Sequence, residues 1–195
     1  MPKMIYWDWM HCWASNGAVG RYHINQLIRR LSKKYGVTWE QWAKFAGQVK
    51  GLGTNSKRMF PTDFFKCRIV DHDDAAMKGF ASEFLDTVAV VGLFVNSVVR
   101  PHGILAKEIE CFDNMARILD IYRRRDFADL ARLEIAAVRH HVLFMELYPN
   151  RAIPKLHLIR HIGECWREHG TLLSCFGAEE LSLIHISEPT RRRGM

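Results

Sequence analysis

The chain has 195 residues, 48% of them hydrophobic and 25% charged, with a formal net charge of +7. That is the composition of a globular protein with one sizeable core, and it excludes a disordered or collagen-like chain. The mildly basic balance is compatible with a nucleic-acid partner without singling one out. The five cysteines, 12, 67, 111, 165 and 175, are odd in number and form no Cys-x-x-Cys pair. This argues against a disulfide framework or a zinc ribbon, and for a reducing compartment. Residues 1–13 mix charged and polar groups with aromatics, unlike a secretory leader. The longest uncharged stretch, 87–99, is too short to span a bilayer and reads as a buried helix, so no membrane partner is expected.

In chain order, residues 4–7 are a short apolar run that reads as a strand end leading into Asp8. Asn16 and Gly17 open a helix through about Tyr35, with Val19, Ile24, Leu27, Ile28 and Leu31 at helical spacing and Gly36 as its stop. Thr38 is a suitable N-cap for a second helix to about Val49, with Trp39, Trp42, Phe45 and Ala46 on one face. Residues 50–58 read as a polar, basic loop. Pro61-Thr62-Asp63 restarts a short helix, and Asp73 or Asp74 is expected to cap a long one to about Val99, ended by Pro101-His102-Gly103.

Two long helices follow. In 105–123 the apolar residues Leu105, Ile109, Phe112, Met115, Leu119 and Tyr122 step by three or four. In 126–148 Leu130, Leu133, Ala137, His141 and Phe144 do the same. Pro154 sits in the first turn of one more helix, closed by Gly170. Residues 171–176 read as a short strand-like link before a new helix near Ala178. The expected fold class is therefore mainly α, a helical array around one core in a single domain over residues 1–180, with at most two short strands.

The string at 181–191, Leu-Ser-Leu-Ile-His-Ile-Ser-Glu-Pro-Thr-Arg, resembles the in-frame translation of a transposon-end adapter used to build sequencing libraries. Residues 181–195 are accordingly expected to be a non-native tail. Without Arg191, Arg192, Arg193 and Glu188 the charge balance is +5.

Four groupings are candidates for chemistry. Asp8 and His11, three apart at a strand-to-helix transition, are placed to bind a metal or share a proton; alternatively Asp8 caps the following segment. His157 and His161, four apart on a helix, have a metal-chelating spacing without the glutamate of a zinc protease, and they read equally as interhelical hydrogen-bonding residues. In 174–180 a small-residue turn aims Glu179 from a helix start, where a carboxylate also suits the helix dipole. Finally, His72-Asp73 with His23 upstream and Asp120 downstream is the outline of a His-Asp metal phosphohydrolase, set against a simple acidic helix cap. His140 and His141 are adjacent, so at most one of them faces a given site. The basic clusters Arg29-Arg30 with Lys33-Lys34, Lys50 with Lys57-Arg58, and Arg123-Arg124-Arg125 are candidate phosphate contacts or solvated helix ends.

Taken in order, the Asp8-x-x-His11-Cys12 segment, the long helical stretch, Pro154-Lys155-x-His157-x-x-x-His161, Gly170 and Glu179 resemble the C-terminal half of CACTA-type (En/Spm-like) cut-and-paste DNA transposases and their domesticated relatives. The resemblance spans about residues 5–180. It implies a helical insertion in a ribonuclease-H-like core, with its last strand near 172–176. Glu179 would be the third acidic residue of the catalytic triad and a Mg²⁺ ligand. Asp8 and His11 would be catalytic residues, with Asp8 also a metal ligand. The implied parent activity is Mg²⁺-dependent DNA cleavage and strand transfer in the nucleus, through two metal ions. The family's other two acids fall before residue 1 on this alignment. The chain is therefore expected to be a fragment, inactive by itself and without tight Mg²⁺ binding. The alternative is a non-catalytic helical DNA- or partner-binding module domesticated from such an element, nuclear or cytoplasmic.

Overall fold

The computed structural model describes residues 8–49, 60–151 and 153–172. The expected strand at 4–7, the loop at 50–58 with Lys50, Lys57 and Arg58, most of the strand-like link, Glu179 and the tail at 181–195 lie outside the described residues. Among those described, every regular element is helical. Eight α-helices follow in order: α1 (Trp9–Trp13), α2 (Val19–Tyr35), α3 (Trp39–Gln48), α4 (Phe64–Arg68), α5 (Ala81–Phe94), α6 (Ala106–Arg124), α7 (Leu130–Leu147) and α8 (Pro154–His169). Thr171 and Leu172, the described start of the expected link, are not in a strand.

Local chemistry explains most of the boundaries. Thr38 accepts a hydrogen bond from the Gln41 amide while the Gln41 side chain accepts from the Thr38 amide, a reciprocal cap that starts α3. Gly36 and Gly170 end α2 and α8 in the left-handed region, at φ 69° and 65°, a conformation that costs a residue with a Cβ about 1–2 kcal/mol. Pro154 opens α8, where its missing N–H is no loss. Arg125 ends α6 at φ 54° without being glycine, an arrangement that side chains adopt only under strain.

Three boundaries differ from expectation. The helix expected from Asn16 starts instead at Val19, after Gly17 at φ 67°, because a separate short helix, α1, precedes the turn. The helix expected from Asp73 or Asp74 starts at Ala81, where the Glu83 carboxylate accepts from the Phe80 amide and pairs with Arg68. Residues 69–77 are held off the helical path by α2. Asn25 donates to the Val70 and Ala75 carbonyls and accepts from the Val70 amide. Gln26 donates to the Asp73 and Ala75 carbonyls, and Tyr22 to that of Asp73. Those carbonyls find side-chain partners on α2 instead of helical ones. At its other end α5 runs into a π-helical turn, Val95–Val99, and a 3₁₀ turn, Arg100–His102. Pro101 has no N–H and its ring crowds the carbonyl four residues back, so the α register cannot continue through it.

The core is continuous. α6 and α7 are joined by a short turn and fold back on each other, α8 covers α7, and α1 packs on both α2 and α8. α2 crosses α5 and α6. The close approach is made at Gly20, where an added Cβ would lie 2.4 Å from the Phe84 ring and 2.7 Å from the Trp13 carbonyl oxygen. An aromatic group from α3, α4 and α5 closes one end, with Trp42 stacked 4.0 Å from Phe94 and 4.8 Å from Phe65.

The run Ala81–His102 is long and apolar enough to cross a membrane by length and composition alone. In this fold Phe84, Val88, Val91, Phe94 and Val95 from it are buried in the shared core.

Candidate functional site

The Asp8–His11 pair is real and local. Asp8 is the N-cap of α1: one carboxylate oxygen accepts from the Met10 amide at 2.9 Å, and the other lies 2.5 Å from His11 Nδ1. The expected cap is present, and the same carboxylate also holds His11, which is exposed rather than packed. The His11 side chain is 52% exposed, so its second nitrogen, Nε2, belongs to the surface. A carboxylate-held imidazole of this kind can accept or deliver a proton there. Ser15 stands one turn on, but its hydroxyl donates to the His11 backbone carbonyl at 2.7 Å. The three do not form a nucleophile relay. Neighbouring Cys12 is buried, and burial, then the Asp8 charge, push its thiol up to about 11 against the opposing pull of Lys155. It is not a nucleophile at neutral pH.

The second sequence motif arrives at the same place. α8 packs on α1, and Lys155 in its first turn donates to Ser15 Oγ at 2.9 Å and to the Asn16 carbonyl at 3.0 Å. On α8, His157 and His161 face each other with their Nε2 atoms 3.0 Å apart, one donating and the other accepting, while His161 Nδ1 pairs with Glu164 at 2.6 Å. The i, i+4 spacing thus yields a mutually satisfied pair at the surface, not an interhelical bond. His141 on α7 looks toward this helix; burial lowers its pKa first, then the charges of Arg160 and His157, against the backbone of Leu156.

The other groupings come apart. His72 and Asp73 lie in the loop tied to α2, with Asp73 against Arg29. Asp120 pairs with Arg124 on the surface of α6. His23, by contrast, is fully buried. Those four side chains do not converge, and the set that does form among the described residues is a different one. Several residues of the described basic clusters are ion-paired. Arg29 pairs with Asp71 and Asp73, Lys33 with Asp71, Arg30 with Glu108, and Arg124 with Asp120 and Asp129. Hydrogen bonds from Lys33 and Arg29 hold the Asp71 carboxyl below the usual range. Arg29, Arg30, Lys33 and Lys34 still border a groove of about 400 Å³ with Tyr22 and Tyr148, but Asp73 and Asp74 share it.

The group that sequence reasoning missed is in the core. His23 on α2, Cys111 on α6 and His140 on α7 point to a common centre, with one ligand atom from each within 4.8 Å of the others and all three residues buried. Of the adjacent pair, His140 is the fully buried member, where the apolar spacing of α7 had selected His141. Cys111 Sγ lies 4.0 Å from His23 Nδ1 and 3.8 Å from the His140 carbonyl oxygen, to which it donates. Neither His140 ring nitrogen has a hydrogen-bond partner, nor has His23 Nε2. An unpartnered buried polar group of this kind costs about 1–3 kcal/mol. Burial first, then the Arg30 charge, lower the His23 pKa to about 3, against a backbone interaction with Glu108 that raises it. Burial and the neighbouring His23 and His141 lower that of His140 well below the ordinary value. Burial pushes the Cys111 thiol well up. The signals available in the sequence were the three residue types alone, since Cys111 and His23 are 88 positions apart.

The described residues do not fit a Mg²⁺ centre. Mg²⁺ takes octahedral oxygen ligands. Of the residues implied as its ligands only Asp8 is described, and its two oxygens already serve the Met10 amide and His11. No known protein family, curated protein or solved structure matches this chain.

Proposed function

We propose that this chain is the helical, non-cutting part of a DNA transposase-like protein, and that the α1–α8 junction faces the strand-cutting centre of the longer nuclear protein. The observation that carries this reading is the junction itself. Two short motifs about 140 residues apart, Asp8-x-x-His11 and Lys155-x-His157-x-x-x-His161, are brought into one packed seam by the Lys155 bonds to Ser15 and Asn16. A site assembled from distant segments is what catalysis requires, and a solitary helix cap is not. In this role His11, oriented by Asp8, positions DNA or a proton beside the phosphate. Lys155 holds the seam. The cutting chemistry belongs to acids outside the described residues.

A second reading has its own support. The described residues bury one continuous core from Trp9 to Leu172, as an independently folding DNA- or partner-binding module would.

One comparison separates the two. The chain itself and the longest open reading frame containing it are each incubated with supercoiled plasmid and Mg²⁺. The transposase reading expects nicking by the longer protein alone, reduced at least tenfold by His11→Ala. Duplex binding without nicking in either protein favours the module. The absence of both binding and nicking refutes both.

A further inference from the structure

We propose that His23, Cys111 and His140 form a buried three-coordinate site for a soft monovalent cation, Cu⁺. The proposal is independent of the reading of the chain's function. It begins with what the cluster lacks. Three buried ring nitrogens have no hydrogen-bond partner in the protein, two of them on His140. Native interiors rarely leave such groups unpaired without a reason. His23 Nδ1 lies 4.0 Å from the Cys111 thiol, and one ligand atom from each of His23, Cys111 and His140, on three different helices, lies within 4.8 Å of the others.

With metal–nitrogen and metal–sulfur bonds of about 2.0 and 2.3 Å, donors around a three-coordinate ion stand roughly 3.7 Å apart. The separations here, up to 4.8 Å, have to close by about 1 Å at most. The walls are apolar and aromatic: Phe112, Phe144 and Trp13 ring the two imidazoles. The backbone of Glu108 lies against the His23 ring, the kind of contact that fixes the tautomer of a ligating histidine.

Charge and coordination number select the ion. Two neutral imidazoles, one thiolate and Cu⁺ sum to zero, the state a low-dielectric core tolerates. Zn²⁺ would leave a net positive charge with no buried carboxylate to offset it, and would lack the fourth ligand of its tetrahedral sites. Soft thiolate ligands also favour Cu⁺.

The test uses the whole chain, reduced and metal-free, under anaerobic conditions. Cu⁺ is titrated in competition with a chromophoric Cu⁺ chelator, and the bound form is read by X-ray absorption. The expected result is one Cu⁺ per chain on one sulfur and two nitrogens. It should persist in the Cys67→Ser, Cys165→Ser, Cys175→Ser triple variant and weaken at least tenfold in Cys111→Ala and in His140→Leu. Melting temperatures keep the test decisive if Cys111→Ala folds poorly. Because His140 has no hydrogen bond to lose, metal-free His140→Leu should melt at or above the wild type, and added Cu⁺ should raise only the wild type. Unchanged Cu⁺ affinity in His140→Leu, coordination by two or more sulfurs, preferential stabilisation by Zn²⁺, or a clearly lower melting temperature for metal-free His140→Leu would each overturn the proposal.

Discussion

The protein holds two histidine-rich regions that treat the same side chain in opposite ways. At the α1–α8 surface, His11 is held by Asp8, and His157, His161 and Glu164 satisfy one another. In the core, His23 and His140 are wholly buried and leave three nitrogens without a partner. The difference is one of solvent. A surface imidazole can exchange a neighbour for water at little cost, whereas a buried one has no substitute and carries the desolvation penalty in full. The surface region is therefore cheap to alter. The core region is bound up with stability itself.

The sharpest way to test that contrast is pH. In the metal-free native protein His23 stays neutral down to about pH 3, and His140 shifts in the same direction, while in the unfolded chain both protonate near 6.5. Between those values the unfolded state binds more protons. Stability is thus fully present above 6.5 and is lost as pH falls toward 3. Each buried histidine contributes a slope of up to about 1.4 kcal/mol per pH unit, so the pair should remove about 3–4 kcal/mol between pH 7 and 5. Urea midpoints across that window check this, and the double substitution His23→Leu with His140→Leu should flatten the slope. The window lies above the ordinary carboxylate range, so Asp71 and Glu110, both lowered by ion pairs, enter only at lower pH. A flat profile in the unsubstituted protein would mean that the core histidines are already charged or hydrated.

A smaller effect is expected at the surface. Asp8→Ala removes the cap of α1 together with the partner of His11, and should cost about 1 kcal/mol in chemical denaturation. Asp8→Asn, which keeps the capping oxygen, should recover most of that loss. If Asn recovers nothing, the charge pairing with His11 carries the contribution and not the cap. The smallest effect is expected at α8. His157→Ala with His161→Ala should change stability by less than about 0.5 kcal/mol, because the exposed pair is replaced by water. A loss above 2 kcal/mol there would show the pair to be structural and would erase the contrast between the two regions.

Much of the helical pattern was legible from the residues alone. The apolar spacing of α2, α3 and α6, the Thr38 cap, Pro154 at the start of α8, and the stops at Gly36, Gly103 and Gly170 are short-range signals that act within a turn or two. The Asp8–His11 pair belongs to the same class, being three residues apart. α1 was missed because five residues show too little periodicity to register. The acidic run at 71–74 misled because a capping residue is recognised by type, whereas its partner is supplied by the tertiary fold. Here Asn25, Gln26 and Arg29 drew that segment onto α2.

The residues by themselves determined that this chain is an array of amphipathic helices around one core, since a helix with an apolar stripe must bury it. Only the tertiary structure decided which histidines went inside. His140 and His141 differ by one position, about 100° of helix rotation, and the choice between them was made by Trp13 and His23 packing against α7. Periodicity carries no information about such neighbours, because they come from other helices. The meeting of His23, Cys111 and His140 is a consequence of packing, invisible in one dimension.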